Sequence, residues 1–92
     1  MVVGVCEVEF HLPMCHNLKH KRMFVNRIKG RLASRFNVAV AEVGFHDLWQ
    51  RAGLAVVSVS SDRRVLEGLF EKVVREAERH DGELLRCDVD YR

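Results

Sequence analysis

The sequence has a single proline, no Cys-x-x-Cys pair and no apolar run long enough to cross a membrane. Its three cysteines are widely spaced and odd in number, which argues against a zinc or redox motif. The amino terminus lacks a basic start followed by a long hydrophobic stretch, so no export signal is expected. These absences favour a protein of the reducing cytoplasm, without a membrane partner.

Acidic residues are missing from a long internal segment, because no Asp or Glu occurs between Glu9 and Glu42. The net charge of the whole chain is only +2, so the bases of this segment are unevenly distributed. They are Lys19, Lys21, Arg22, Arg27, Lys29, Arg31 and Arg35. This segment is the part of the chain where electrostatic attraction would recruit a partner.

The length of 92 residues and the hydrophobic content of 48% predict one globular domain that spans residues 1–92. Apolar periodicity predicts six elements in the order strand, helix, strand, strand, helix, strand. Asn17 and Ser61-Asp62 are the expected N-caps of the helices. The predicted strands are Val3 to Leu12, Val38 to Phe45, Leu54 to Ser60 and Leu85 to Tyr91, and the helices run to Phe36 and to Asp81-Gly82.

The two halves of the chain repeat the same strand and helix unit. With right-handed crossovers, this order predicts an α+β ferredoxin-like β-α-β-β-α-β sandwich, with a four-stranded antiparallel sheet and both helices on one face. Ser58 and Ser60 indicate the wetter side of the third strand, so Ala55, Val57 and Val59 are expected to point inward. The predicted core comprises Cys6, Val8, Phe10, Val25, Ile28, Leu32, Val57, Leu69, Val73 and Val89.

The second face of the predicted sheet has no helix to cover it. On this interpretation it presents an apolar patch larger than a monomer usually exposes to water, so a second copy or another protein is expected to cover it. The expected oligomer interface comprises Val3, Val5, Val40, Leu54 and Val56.

A dense cluster of histidine and cysteine lies around the turn into the first helix: His11, Cys15, His16 and His20. His16 and His20 are four residues apart, a spacing that lets two imidazoles face one metal ion. Side chains at a turn are usually solvated, however, and no acid is nearby to support the imidazoles. The sequence therefore favours no metal site and no catalytic residue, and the glycine spacing matches neither a dinucleotide fingerprint nor a P-loop. No cofactor and no small-molecule substrate are expected.

The start of the first helix carries Lys19, Lys21 and Arg22 where the helix dipole is already positive. Free backbone N–H groups together with these bases favour an anion, of which phosphate is the obvious one. A helical wheel leaves Lys19, His20, Arg27 and Arg31 exposed and puts Lys21 within the apolar stripe. The alternative is a solvated basic face that binds nothing.

An RNA-recognition motif has the same strand order, but the third strand here lacks the aromatic residues that stack bases. Trp49 and Arg51, past the hairpin tip, form either a stacking pair for a base or a cap on the core. The residues expected to contact nucleic acid are Lys19, Lys21, Arg22, Arg27, Arg31, Trp49 and Arg51.

Four blocks of the sequence, Leu12-Pro13, Asn17 to Arg22, Arg35 to Val43 and Asp47 to Ala52, resemble the YlxP-like family of small bacterial proteins of unknown function. The resemblance implies a ferredoxin-like fold and no established enzymatic activity. Genes of that family often lie beside those of transcription-elongation and translation-initiation factors and a ribosome-binding factor, which implies RNA or the ribosome as a partner. Cys15 and His16 are not part of the family pattern.

Two classes of function remain from the sequence. One is a non-enzymatic binding module, associated with RNA or the ribosome through the basic first helix. The other is a protein-interaction or structural homo-oligomer that uses the open apolar face of the sheet.

Overall fold

Six elements follow one another in the predicted order in the computed structural model, which describes residues 1–80 and 82–92. They form one antiparallel four-stranded sheet in the order β2-β3-β1-β4 and two helices, so the predicted α+β ferredoxin-like fold is confirmed. The elements are β1 (Val2–His11), α1 (Leu18–Arg35), β2 (Ala39–Gly44), β3 (Arg51–Ser60), α2 (Arg63–Glu78) and β4 (Glu83–Tyr91).

Both helices begin at the predicted caps. The Asn17 side chain accepts a hydrogen bond of 2.9 Å from the backbone N–H of His20, and Asp62 accepts one of 2.9 Å from that of Arg64. Each of these bonds satisfies an N–H group that lacks a partner within the helix. Helix α2 ends at Glu78, before its predicted end at Asp81-Gly82, where Asp81 lies outside the described residues.

One core lies between the helices and the face of the sheet that carries Cys6, Val8 and Phe10. Removing a large aliphatic or aromatic side chain from water contributes about 1.5–3 kcal/mol, so this cluster dominates the stability of the domain. Leu69 packs partly buried against it. The predicted members Cys6, Val8, Phe10, Val25, Ile28, Leu32 and Val73 are all buried, and α2 adds Leu66, Phe70 and Ala77.

The predicted orientation of β3 is wrong by one residue. Leu54 and Val56 are 1% and 0% exposed and lie in the core, whereas Val57 faces away from the helices. The serine that suggested a wet side, Ser58, is in fact buried. Its hydroxyl donates a hydrogen bond of 2.7 Å to the carbonyl oxygen of Asn37, which removes the cost of burying it.

Val89 is also wrongly predicted as a core residue, because 43% of it is exposed. It lies on β4, at the edge of the sheet, where α2 packs on Tyr91, whose ring centroid is 6.2 Å from that of Phe70. Alternation along β4 identifies its helix-facing side, but it does not reveal that α2 leaves Val89 largely exposed on that side. Within the described chain, no helix is both long and apolar enough to span a membrane.

Candidate nucleic-acid interface

Helix α1 presents three exposed cations, Lys19 and Arg22 near its start and Arg27 at its middle. No acidic residue stands in the first turn of this helix. Among the described residues, no carboxylate lies within ion-pair distance of these three groups. Arg27 also stacks on Phe24, its guanidinium carbon 5.7 Å from the ring centroid. Positive charge at this end of α1 therefore stays available to an anion.

Lys21 is not part of this exposed set, which corrects its predicted role in phosphate binding. Only 1% of the residue is exposed, and its Nζ donates a hydrogen bond to the carbonyl oxygen of Phe45. The same Nζ lies 3.0 Å from Oε2 of Glu42. That oxygen is buried and accepts no aligned hydrogen bond within the described part of the chain, so its attraction to Lys21 is electrostatic. Through these two contacts Lys21 joins α1 to β2 and to the connection between β2 and β3.

Arg31 is exposed as predicted, but it forms an ion pair within the chain. Its Nε lies 3.1 Å from Glu76 of α2, and Arg35 lies 3.3 Å from the other oxygen of the same carboxylate. The hydrogen bond from Arg31, together with the positive charges of Arg35 and Arg79, holds the pKa of the Glu76 carboxyl below its usual value. The second half of the basic helix therefore serves to join the two helices.

Trp49 belongs to the connection between β2 and β3 and is 43% exposed. This connection lies against the turn that enters α1: Nε2 of Gln50 donates a hydrogen bond of 3.2 Å to the carbonyl oxygen of Cys15. The backbone N–H of Leu12 donates one of 2.8 Å to the carbonyl oxygen of Gln50. With the bond from Lys21 to Phe45, these contacts hold the Trp49 connection beside the start of the basic helix.

Arg51 begins β3 and has two partners in its own chain. Its NH2 group lies 2.9 Å from Glu9, and its guanidinium carbon stands 4.3 Å from the centroid of the Phe45 ring. Phe45 has a φ of 59°, which is uncommon for a residue other than glycine. Arg51 is thus paired within its own chain, although 44% of its side chain is exposed to solvent.

The histidine and cysteine cluster does not come together. Cys15 is buried, His16 and His20 are exposed, and Nδ1 of His11 lies 3.1 Å from Glu83. In residues 1–80 and 82–92, no three His, Cys, Asp or Glu side chains are grouped so that they could hold a metal ion.

The open face of the sheet differs in composition from the predicted interface. Val3 and Val5 lie on it, but Leu54 and Val56 are core residues and Val40 packs against the core. The side chains opposite Val3 and Val5 on β3 are Val59 and Val57. Ala39, Ala41 and Ala55 extend this surface, here called the valine face, across β3 to β2.

Two residues that organise this region, Glu42 and Glu76, were not identified from the sequence. The sequence pattern does indicate the position of Glu42, because it follows Val38 and Val40 at alternate positions and so falls on the helix-facing side of β2. No comparable signal marks Glu76 as the partner of Arg31, which is 45 residues away in the chain.

The order of the strands, the two helices on one face and the single core make this chain a ferredoxin-like α+β protein. It belongs to the family described as a protein of unknown function (DUF503), whose family model matches residues 3–90. The chain is similar to the uncharacterized protein YlxP of Bacillus subtilis (strain 168), with 34% identity over 73 residues that cover 79% of each chain. The resemblance to the YlxP-like family is thereby confirmed.

Proposed function

We propose that this protein binds single-stranded RNA, free or within the ribosome, on the surface formed by Trp49 and the start of α1. The observation that carries the proposal is the set of contacts that join the Trp49 connection to the turn before α1. Proteins that bind single strands combine an aromatic side chain for base stacking with cations that follow the backbone. Trp49 supplies the aromatic group, and Lys19 and Arg22 at the start of α1 supply the cations.

The electrostatics of the helix favour phosphate over other partners of this surface. Lys19 and Arg22 lie near the start of a helix without an acid in its first turn, where the helix dipole adds positive potential, and Arg27 adds a third cation further along the helix. A phosphate placed there would relieve the repulsion between these cations and accept hydrogen bonds from them. Lys21 and Arg31 are not among the proposed RNA contacts, because each forms an ion pair within the chain. Arg51 is proposed as an auxiliary contact. A cytoplasmic location would give this surface access to RNA.

The salt dependence of RNA binding tests the proposal. Three phosphate contacts on a single strand predict that the logarithm of the affinity falls with the logarithm of salt with a slope of about −2. Replacing Lys19 and Arg22 by alanine should reduce the slope to about −0.7, since one contact remains. The probe is a fluorescently labelled oligouridine, and the readout is its anisotropy.

The control is the Lys72→Ala/Arg75→Ala variant, which removes two exposed charges from α2 instead of α1. It should bind with the unaltered slope. If both double variants reduce the affinity equally, or if no binding occurs at low salt, the surface is only a solvated basic face and the proposal fails.

The valine face supports a second candidate, a protein-interaction role in which a homo-oligomer forms through the sheet. The observation in its favour is that Val3 opposes Val59 and Val5 opposes Val57 on a face without a helix. If this face is covered by a second copy, Val57→Lys should reduce the mass measured by light scattering to that of a monomer. Val65→Lys, a change at an exposed valine of α2, should leave the mass unchanged.

A further inference from the structure

The outer side of β4 is a long sheet edge that no other strand covers among the described residues. The strand is nine residues long, which corresponds to about 30 Å of extended chain. Natural proteins usually protect such edges with short strands, charged side chains, proline or bulges. Residues Glu83–Tyr91 contain no proline and no lysine, but they carry four other charged side chains and one bulge, at Leu85. The opposite edge, β2, is only six residues long and also has a bulge, between Glu42 and Gly44.

A groove follows the same edge on the side of the helices. It lies between α2 and β4, encloses about 480 Å³ and has Phe70, Val74 and Val89 among its apolar lining. Cys87 and Tyr91 complete the lining on the strand. Because α2 leaves Cys87 and Val89 exposed on the helix-facing side of β4, an added strand could bury side chains there at alternate positions.

The charges on one β4 strand would match those on a second copy of the same strand if the two strands ran antiparallel. Arg86 and Asp88 lie opposite Glu9 and Glu7 on the open face, and both side chains are more than half exposed. Within the strand they form an ion pair with each other, so a second copy would extend this pair into a network of four charges. Cys87 lies between them and points to the groove side. If two β4 strands pair around a two-fold axis at Cys87, Arg86 of each copy faces Asp88 of the other. Opposite charges at directly paired positions stabilise a sheet.

Neighbouring registers are less favourable. In a two-fold antiparallel pairing, the central residue of each strand lies opposite its own copy. Because side chains alternate between the two faces of a sheet, any other register must have its centre at another residue. A centre at Arg86 would place that arginine opposite its own copy, and a centre at Asp88 would do the same with two carboxylates. Like charges directly opposite each other destabilise the pairing. The charge pattern thus selects the register centred on Cys87.

We infer that a second copy of this chain pairs through β4, so that two sheets join into one of eight strands with Arg86 and Asp88 of each copy opposite Asp88 and Arg86 of the other. Such an interface is self-complementary, as a two-fold dimer requires. It uses neither the Trp49 surface nor the valine face, so it does not depend on the proposed function.

Charge reversal tests this pairing. The unaltered protein should have twice the mass of the 10.6 kDa chain in light scattering. Arg86→Asp alone and Asp88→Arg alone should each give a monomer, because each places like charges opposite each other. The double variant Arg86→Asp/Asp88→Arg should restore the dimer, which a variant that merely fails to fold would not do.

Cross-linking at Cys87 checks the register. Cys87 is exposed, while Cys6 and Cys15 are buried, and burial together with the adjacent Cys87 thiol raises the pKa of Cys6 to about 12. A short bis-maleimide should therefore join two chains through Cys87, and Cys87→Ser should abolish the product.

Three results would overturn the inference. One is a monomer for the unaltered chain throughout the micromolar range, and another is a dimer that both single charge reversals leave intact. The third is a dimer that Val57→Lys dissociates and Arg86→Asp does not, which would assign self-association to the valine face.

Discussion

Lys21 is the residue that most changes the interpretation of the basic helix. Its burial agrees with the helical wheel, which put it within the apolar stripe, whereas its partners lie on a different element. A buried ammonium group must be paired, and here Glu42 and the carbonyl oxygen of Phe45 perform that task. The positive charge of Lys21 therefore stabilises the fold and is not available to a ligand.

The first prediction concerns this buried pair. Lys21→Ala should lower the free energy of unfolding by about 3 kcal/mol, because it leaves the Glu42 carboxylate without a counter-charge. Lys19→Ala, at an exposed position two residues away, should change it by less than about 0.5 kcal/mol. Urea denaturation measures both values. Equal stability of the two variants would show that Lys21 is not held as described.

The second prediction concerns Gly4, over which the Phe70 ring of α2 lies. A Cβ atom at Gly4 would come 2.5 Å from Cε2 and 2.8 Å from Cζ of that ring. Gly4→Ala should therefore destabilise the protein by about 1–3 kcal/mol through displacement of the ring. Gly30→Ala is the matched control, since nothing lies within 4 Å of its Cβ in the middle of α1. It should stabilise the helix by about 0.5–1 kcal/mol, and thermal unfolding of both variants would reveal a wrong sign in either.

At the scale of elements, the order and type of all six segments follow from the sequence, but the burial of each strand face does not. Leu54 to Ser60 is apolar on both sides, so alternation alone leaves its orientation open, and the two serines suggested the wrong side. Ser58 is buried because a carbonyl group from the connection after α1 accepts its hydrogen bond. That partner is 21 residues away, and no local pattern reveals it.

The third prediction concerns the junction of α1 and α2 at Glu76. Its pKa is lowered in the folded state, chiefly by the hydrogen bond from Arg31, so it stabilises the fold fully above its usual pKa of 4.5. That contribution is lost as the pH falls through the lower folded-state pKa. Glu76→Gln should therefore have a lower Tm than the unaltered protein at neutral pH, and the difference should shrink below about pH 4.5.

Glu67→Gln provides the control for this pH dependence. Glu67 forms an exposed pair with Arg63 on α2 alone, and such pairs contribute little to stability. Its Tm should stay close to that of the unaltered protein at every pH. A difference between Glu76→Gln and the unaltered protein that does not change with pH would contradict the account of this junction.

For the molecule as a whole, the sequence predicts which cations are exposed but not which of them remain free of an ion pair within the chain. Lys19, Arg27 and Arg31 all lie at the surface, as the wheel predicts, yet Arg31 meets an acid from the second half of the chain. The position of Trp49 beside the helix start also depends on tertiary contacts, above all the hydrogen bond from Gln50 to Cys15. Charge patterning identifies the candidate surface, and packing determines its members.

The proposed RNA-binding surface can be tested through the fluorescence of Trp49, because Trp49 is the sole tryptophan of the chain. Oligouridine at low salt should change the Trp49 emission in a saturable manner, and added salt should reverse the change. Lys19→Ala/Arg22→Ala should shift this titration to higher oligonucleotide concentration, since the cations and the indole bind one ligand. RNA binding by anisotropy with no change in Trp49 emission, or an emission change that the two substitutions leave unaltered, would contradict the proposed surface.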